Sequence, residues 1–449
     1  MTYQHAIEYL MSFLDLEKDP GQKYHDDSYN LDGFRQLLNQ VGNPQNSFKS
    51  ILVAGTKGKG STAAFIESAL RAQGIKVGLY TSPHLISFCE RIRLNGRNIL
   101  ERDFAQRLDC LKPFLEKQKF NSASPAGGSS TVFEILTAMA FLYFQEMGIE
   151  WAVLEVGVGG RLDCTNAVNP RVSVITNISH DHTEILGDSL KEIAGEKAGI
   201  IRQDGLVVTA PQGAEALKVI MNRCRDLNAR LFQVGKEVGF KITEQDPEHL
   251  SMDLGGTFGK LTGLELGLSG DFQAENAATA FAALRALQFR NQQVGDAAIR
   301  KGFKEVHWPG RMQTVSKHPL MIVDGAHNDY SAYRLKKAVE TLYPDKNRIL
   351  VLGISANKDI GGIVSNLVPQ SRVLIITKAK HSRAATPEAI KKEAKKFAVP
   401  VIETENLAQA LERARELATP QDLVLVTGSL FLVGETLELL GKKINPNKL

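Results

Sequence analysis

Short apolar runs recur along this chain, separated by stretches of helical periodicity, and that rhythm restricts the fold more than any other feature. "VGLY" at Val77, "WAVLEVG" at Trp151, "VSVITN" at Val172 and "GLVVTA" at Gly205 are strand-length and rich in β-branched residues. Strands apolar on both faces belong in a parallel sheet covered by helices. From about Leu231 to Gly270 the texture changes to "FQVGKEVGFKITEQ" and "LSMDLGGTFGKLTGLELGLSG", with alternation, glycines and turn residues that predict a small antiparallel appendage. After the helix-like "ENAATAFAALRAL", the stretch "KEVHWPGRMQTV" breaks the pattern, and a second series follows in "LMIVDGAHN", "RILVLGIS", "RVLIITKA" and "DLVLVTGS". With 449 residues the chain exceeds what one hydrophobic core serves. Two α/β domains are therefore expected, residues 1–306 and 307–449.

Bulk properties exclude several classes. A composition of 43% hydrophobic and 23% charged residues is that of an ordinary globular protein. The net charge of +4 is spread out, and the basic cluster "KKEAKK" at Lys391 reads as a solvated helix face, so no nucleic-acid partner is implied. The four cysteines lie far apart without a C-x-x-C pair, which suggests neither a zinc site nor a disulfide framework. The N-terminus lacks the pattern of a signal peptide, and no apolar run has the length of a membrane span, so no membrane partner and a cytoplasmic location are expected. The biased segment "NSASPAGGSS" (Asn121 to Ser130) reads as a mobile loop, either a connector or a lid.

The stretch "VAGTKGKGSTAAF" (Val53 to Phe65) joins a buried strand to a helix whose Ala63, Ile66, Ala69 and Leu70 recur at helical spacing up to Gly74. It departs from the strict phosphate-loop pattern twice, because Val53 stands at the first glycine's place and Gly60 follows Lys59. A glycine turn entering a helix N-terminus still aims backbone N–H groups and a positive dipole end at one point, where Lys59 adds a charge and Ser61 or Thr62 a hydroxyl. Two readings stay open from these residues alone: a phosphate site, or a tight connection with solvated lysines.

Other polar clusters end predicted strands, where ligands gather in open α/β sheets. Glu155 closes "WAVLE" and leads into the glycines of "VGVGGRLD". "TNISHDHTEILG" groups Asp181, His182 and Glu184, a mixture able to ligate a hard cation or simply a polar loop. Lys197 lies in "IAGEKAGII", and "DGAHN" (Asp324 to Asn328) ends the first strand of the second series.

Taken together, "GTKGKGST", "SPHLISFCERIRLNG", "FEILTAMAF", "EVGVGGRLDCTN", "HDHTEILG", "GEKAGI", "PGRM", "DGAHN" and "VTGSL" resemble, in the same order, the motifs of the dihydrofolate synthase and folylpolyglutamate synthase family of the Mur ligase superfamily. The resemblance covers essentially the whole chain. One departure is Lys57, where the family usually carries Asn. The resemblance implies an N-terminal phosphate-loop ATPase-like domain that binds ATP and pterin, and a C-terminal Rossmann-like domain that binds glutamate. It implies an ATP-dependent ligase in folate biosynthesis and polyglutamylation: a carboxylate of dihydropteroate or a folate takes the γ-phosphoryl group, and the amine of L-glutamate displaces phosphate.

Residue by residue, the resemblance assigns Gly55, Thr56, Gly58, Lys59, Gly60, Ser61 and Thr62 to the nucleotide phosphates, with Asn276, Arg311 and Asp324 completing the nucleotide contacts. Ser82, Glu155 and His182 are implied as magnesium ligands, and Lys197 as a carbamylated lysine; a monovalent cation is a further implied cofactor. Asp163 is implied to meet the pterin ring, and His327 and Ser429 the acyl phosphate and glutamate. Lys59, Lys197 and His327 are the expected catalytic residues, and a monomer is expected. A folylpolyglutamate synthase alone, a Mur-type ligase of peptidoglycan precursors and a non-catalytic nucleotide switch are the alternatives; "SPHL" and "FEILT" favour the folate branch.

Overall fold

The computed structural model describes residues 1–15, 31–121, 130–381 and 383–441. Eight strands form the first sheet: β1 (Lys49–Ala54), β2 (Val77–Tyr80), β3 (Ile92–Leu94), β4 (Arg97–Asn98), β5 (Trp151–Glu155), β6 (Val172–Ile175), β7 (Leu206–Thr209) and β8 (Arg230–Gln233). Their order is β4-β3-β2-β5-β1-β6-β7-β8; near one edge β3 pairs antiparallel with both β2 and β4, and the other pairings are parallel. Strands β2, β5, β6 and β7 are buried throughout, which is why they read as unbroken apolar runs. β1 lies between β5 and β6 with Val53 beside Glu155 and Ala54 beside Ile175. The loops that follow these three strands therefore open on one sheet edge, at the point where the connections diverge.

Three antiparallel strands, β9 (Val238–Gln245), β10 (Leu250–Gly256) and β11 (Leu261–Leu266), make the appendage in the order β11-β10-β9. Leu250, Met252 and Leu254 alternate inward and pack with the helix Asp271–Ala286. The appendage is narrower than its texture in the sequence implied. Residues 230–233 form β8 and pair in parallel with β7, because Phe232 finds its burial in the main sheet. Alanines fill the inner faces of the helix Asp271–Ala286, and Gly302 lets the helix Asp296–Lys304 cross the helix Lys59–Ala72 in backbone contact with Ser68 and Ala69.

The third sheet holds β12 (Gln313–Lys317), β13 (Leu320–Val323), β14 (Asn347–Leu352), β15 (Ser371–Ile376), β16 (Val401–Glu403) and β17 (Asp422–Thr427) in the order β12-β13-β17-β14-β15-β16. Only the β12–β13 hairpin is antiparallel. Two apolar cores cover its faces, as expected of a Rossmann-like layer structure. The fold is thus two α/β units, the first with a parallel-rich sheet and a small antiparallel appendage. Residues 122–129, most of the segment read as connector or lid, lie outside the described residues.

Candidate active site

The strand ends of the first and third sheets face one another across a cleft of about 350 Å³. Every site residue assigned through the family resemblance lines it except Thr62, which is fully buried behind the loop with an unpaired hydroxyl; Glu184, grouped with Asp181 and His182 in the sequence, does not line it. The glycine loop has its sequence for steric reasons. Gly55 (φ +142°) lies against Thr176 and Gly58 (φ +88°) against Asn276, so a Cβ at either position would overlap a neighbouring side chain. The loop feeds the helix Lys59–Ala72.

Two lysines converge on one carbonyl. Lys59 Nζ donates to Gly55 O at 3.1 Å, and Lys197 Nζ donates to the same oxygen at 3.0 Å. Lys197 reaches it from the helix Leu190–Ala198, which is set by a capping box between Ser189 and Glu192. Burial, reinforced by the charge of Lys59, pulls the Lys197 ammonium down to about 7. A helix lysine that would ordinarily be solvated is here 4% exposed, and the sequence alone carries no sign of that.

Glu155 accepts the Ser82 N–H at 3.2 Å, and burial, opposed first by Lys59, raises its carboxyl to about 7. His182 starts the short helix Thr183–Leu186 in a left-handed conformation (φ +51°), and burial lowers its imidazole to about 4 despite Asp181. A buried carboxylate, a hydroxyl and a neutral imidazole are a donor set that fits magnesium, which takes few protein oxygens and completes its shell with water and phosphate. Among the described residues no three His, Cys, Asp or Glu side chains form a self-sufficient metal cage. A metal held here would need further ligands from outside these side chains.

Asp163 is saturated from within its own loop. Its carboxylate accepts Gly157 N–H at 3.0 Å, Val158 N–H at 3.1 Å, Thr165 N–H at 2.9 Å and the Thr165 hydroxyl. It shapes the 157–165 turn beside Phe133 and Glu134 on the cleft wall. Asn276 donates to Gln273 at 2.9 Å, beneath Gly58.

From the third sheet, Asp324 accepts Met312 N–H at 2.9 Å and Ala326 N–H at 2.8 Å, and burial raises its carboxyl against the pull of Arg311. His327 Nδ1 lies 2.8 Å from Gly325 O, which can only accept, so Nδ1 carries the proton and Nε2 presents a lone pair. Burial, together with Lys57, holds His327 well below its usual value and hence neutral. Ser429 caps the helix Leu430–Leu439 by accepting Leu432 N–H at 3.1 Å.

Asp181 joins the two sides. Lys57 Nζ lies 2.8 Å from its Oδ2 and Lys358 Nζ 3.1 Å from its Oδ1. Burial alone would raise this carboxyl, but Lys57, His182 and Lys358 hold it well below its usual range. Burial lowers Lys57 to about 8. Lys358, Arg383, Phe272, Tyr330 and Arg334 also line the cleft and were not singled out from the sequence. Lys358 had a usable signal, because "ISANKD" directly follows the strand-like "RILVLG".

Comparisons with known proteins agree with this fold. Residues 53–284 match the family model described as the Mur ligase middle domain, and residues 310–430 that of the Mur ligase, glutamate ligase domain. The dihydrofolate synthase/folylpolyglutamate synthase of Bacillus subtilis is 31% identical over 97% of this chain and 98% of its own length. A Haloferax volcanii protein described as a probable bifunctional folylpolyglutamate synthase/dihydropteroate synthase is 34% identical over 97% of this chain, which spans 50% of that relative's length. Among solved structures, folylpolyglutamate synthase from Thermotoga maritima superimposes with a TM-score of 0.84 at 33% identity, covering 99% of this chain and 98% of its own. E. coli FolC in complex with DHPP and ADP superimposes with a TM-score of 0.83 at 30% identity, covering 98% of each chain.

Proposed function

Because the chain belongs to the dihydrofolate synthase/folylpolyglutamate synthase family of Mur ligases, ATP-dependent enzymes of glutamate ligation, we propose that it joins L-glutamate both to dihydropteroate and to reduced folyl-polyglutamates. The observation that carries this reading is the single cleft in which a phosphate loop from one sheet faces Arg311, Asp324, His327 and Ser429 from the other. One chain supplies both walls, so a monomer suffices. The division of labour follows the sheets, with ATP and the pterin substrate on residues 1–306 and glutamate on 307–449.

The substrate carboxylate and the γ-phosphate are both anions, and bringing them together requires fixed cations and aimed donors. Lys59, the loop amides and Ser61 supply these at the β- and γ-phosphates, while Arg311 and Asp324 orient the nucleotide from the opposite wall and Asn276 meets its base. Ser82, Glu155 and His182 would hold magnesium, which when bound neutralises phosphate charge. Lys197, neutral in a large fraction near pH 7, is suited to accept carbon dioxide and become a carbamate, an anion beside that site. Phe133 and the Asp163 turn form the wall for the pterin. The carboxylate oxygen attacks the γ-phosphorus, ADP leaves, and the glutamate amine attacks the acyl carbon to release phosphate and leave an amide. His327 Nε2 and Ser429, both on the cleft wall, would serve the acyl phosphate and the incoming glutamate, and closure of the cleft would keep water from the intermediate.

A paired assay tests this. Purified protein with ATP, magnesium and glutamate is offered dihydropteroate in one reaction and tetrahydrofolate in the other, and glutamylated product is expected from both. Product from tetrahydrofolate alone narrows the activity to folylpolyglutamate synthesis; product from neither removes the folate reading.

A further inference from the structure

Lys57 stands in the phosphate loop, yet its ammonium does not point into the loop's hollow. It lies 2.8 Å from Asp181 Oδ2 and 3.1 Å from His327 Nε2, whereas Lys59 bonds only loop carbonyls and keeps donor capacity for a phosphate. Asp181 also receives Lys358 Nζ at 3.1 Å and Asn328 Nδ2 at 3.3 Å. Lys57 and Asp181 follow strands of the first sheet, while His327, Asn328 and Lys358 follow strands of the third. The Asp181 side chain is 9% exposed and each lysine 17%, so this carboxylate lies in the seam between the two halves and is held by both.

We propose that Lys57 is a positioning residue: through Asp181 it fixes Lys358 and the His327–Asn328 turn against the phosphate loop, so that the acyl phosphate meets the glutamate amine and not water. The physical logic is charge balance in a poorly hydrated seam. Asp181 carries one negative charge between two lysines that would otherwise repel each other, and the pairing is satisfied only when the halves are closed. The direct bond to His327 adds orientation, because the Lys57 ammonium can donate to Nε2 only while Nδ1 keeps the proton it gives to Gly325 O. With Asn at position 57 the charge would be lost and the reach would be shorter. Opening of the seam admits water, which attacks the acyl carbon, releases phosphate and returns the unmodified carboxylate.

This inference rests on the ligase reading for its kinetic readout but not for its structural one. The full-length chain would be compared with Lys57→Asn, Lys57→Arg, Lys358→Met and the double variant Lys57→Asn/Lys358→Met. Phosphate release is measured against amide formation with a folate acceptor, and the ligand-free proteins are compared by small-angle X-ray scattering. Lys57→Asn is expected to raise KM for glutamate about tenfold, within the usual range of coupling between sites. KM for ATP should move far less, and phosphate released per amide formed should rise several-fold. Lys57→Arg should preserve coupling, and the double variant should be no worse than the poorer single variant, because both lysines act through Asp181. The radius of gyration should increase in Lys57→Asn and in Lys358→Met. A rise in KM for ATP with one phosphate still released per amide would overturn the proposal in favour of a plain phosphate contact, as would additive effects of the two lysines. If no variant and no parent shows ligase activity, the functional reading fails by itself, and unchanged scattering in both lysine variants would still overturn the positioning role.

Discussion

Lys59 and Lys197 donate to the same carbonyl oxygen, that of Gly55, at 3.1 and 3.0 Å. Two ammonium groups on one acceptor repel each other, and burial together with the charge of Lys59 lowers Lys197 to about 7. In the proposed reaction their roles separate: Lys59 serves the phosphate, and Lys197 supplies the amine available for chemistry.

Replacing Lys59 with Ala removes the charge proposed to face the transferring phosphoryl group. Loss of such a transition-state cation costs on the order of 3–4 kcal/mol, so kcat should fall by two to three orders of magnitude. Folding should survive, since the Lys59 side chain bonds only carbonyls of its own loop. Steady-state kinetics and circular dichroism check both halves. Near-normal turnover would mean that the loop does not hold the γ-phosphate, unless Lys57 substitutes, which Lys57→Asn/Lys59→Ala distinguishes.

Lys197 predicts a pH dependence with a definite sign. Its folded value of about 7 lies below the ordinary 10.5, so the folded chain binds fewer protons between those values than the unfolded chain. This group therefore subtracts stability progressively as pH falls from about 10.5 to about 7, and the full penalty persists below. Turnover should decline as pH drops below about 7, where the amine charges and cannot take up carbon dioxide. Added bicarbonate at fixed pH should restore part of the loss. A profile insensitive to bicarbonate, with a free ammonium seen by carbon-13 NMR under labelled carbon dioxide, would count against the carbamate.

Lys197→Ala should abolish ligation while small carboxylates such as acetate or formate recover part of it, by placing an anion where the carbamate oxygens lay. The measurement is the rate against carboxylate concentration. A variant with parental activity would show that the residue serves only to pack the loop.

The Asp163 turn should matter for folding as well as for substrate. Its removal in Asp163→Ala leaves the N–H groups of Gly157, Val158 and Thr165 without their acceptor; the first two are partly buried on the cleft wall, and the buried Thr165 donor costs about 1–3 kcal/mol when unsatisfied. A lower Tm and a higher KM for the pterin substrate are expected together. A raised KM with unchanged Tm would instead identify Asp163 as a direct substrate contact whose loop bonds are dispensable.

A last expectation concerns packing away from the cleft. A Cβ on Gly302 would stand 2.5 Å from Ala69 Cα, which is backbone and cannot rotate aside. Gly302→Val should therefore destabilise the chain by about 1–3 kcal/mol through overpacking, read as a lower midpoint in urea. The shift of the phosphate-loop helix should also weaken nucleotide binding, measurable by titration with ADP.

What the sequence determined by itself was local or periodic. Continuous apolar runs such as "WAVLE" specify buried parallel strands because both faces must be covered, and "VAGTKGKGS" specifies a strand–turn–helix because glycine alone accepts the conformations at Gly55 and Gly58. The ordered motifs carried the family and with it most of the cleft. Tertiary structure decided what depends on distance across the chain. Phe232 was assigned by texture to the appendage and is claimed by the main sheet, since a half-apolar strand joins whichever edge buries it. Thr62 sits one residue beyond Ser61 but on the inward side of the helix, so its hydroxyl is sealed from the cleft. Lys197 acquires its perturbed amine, and Lys57 its partners Asp181 and His327, only when strands far apart in the chain bring them into one poorly hydrated seam. Desolvation and ion pairing act through space, and no pattern along the chain records them.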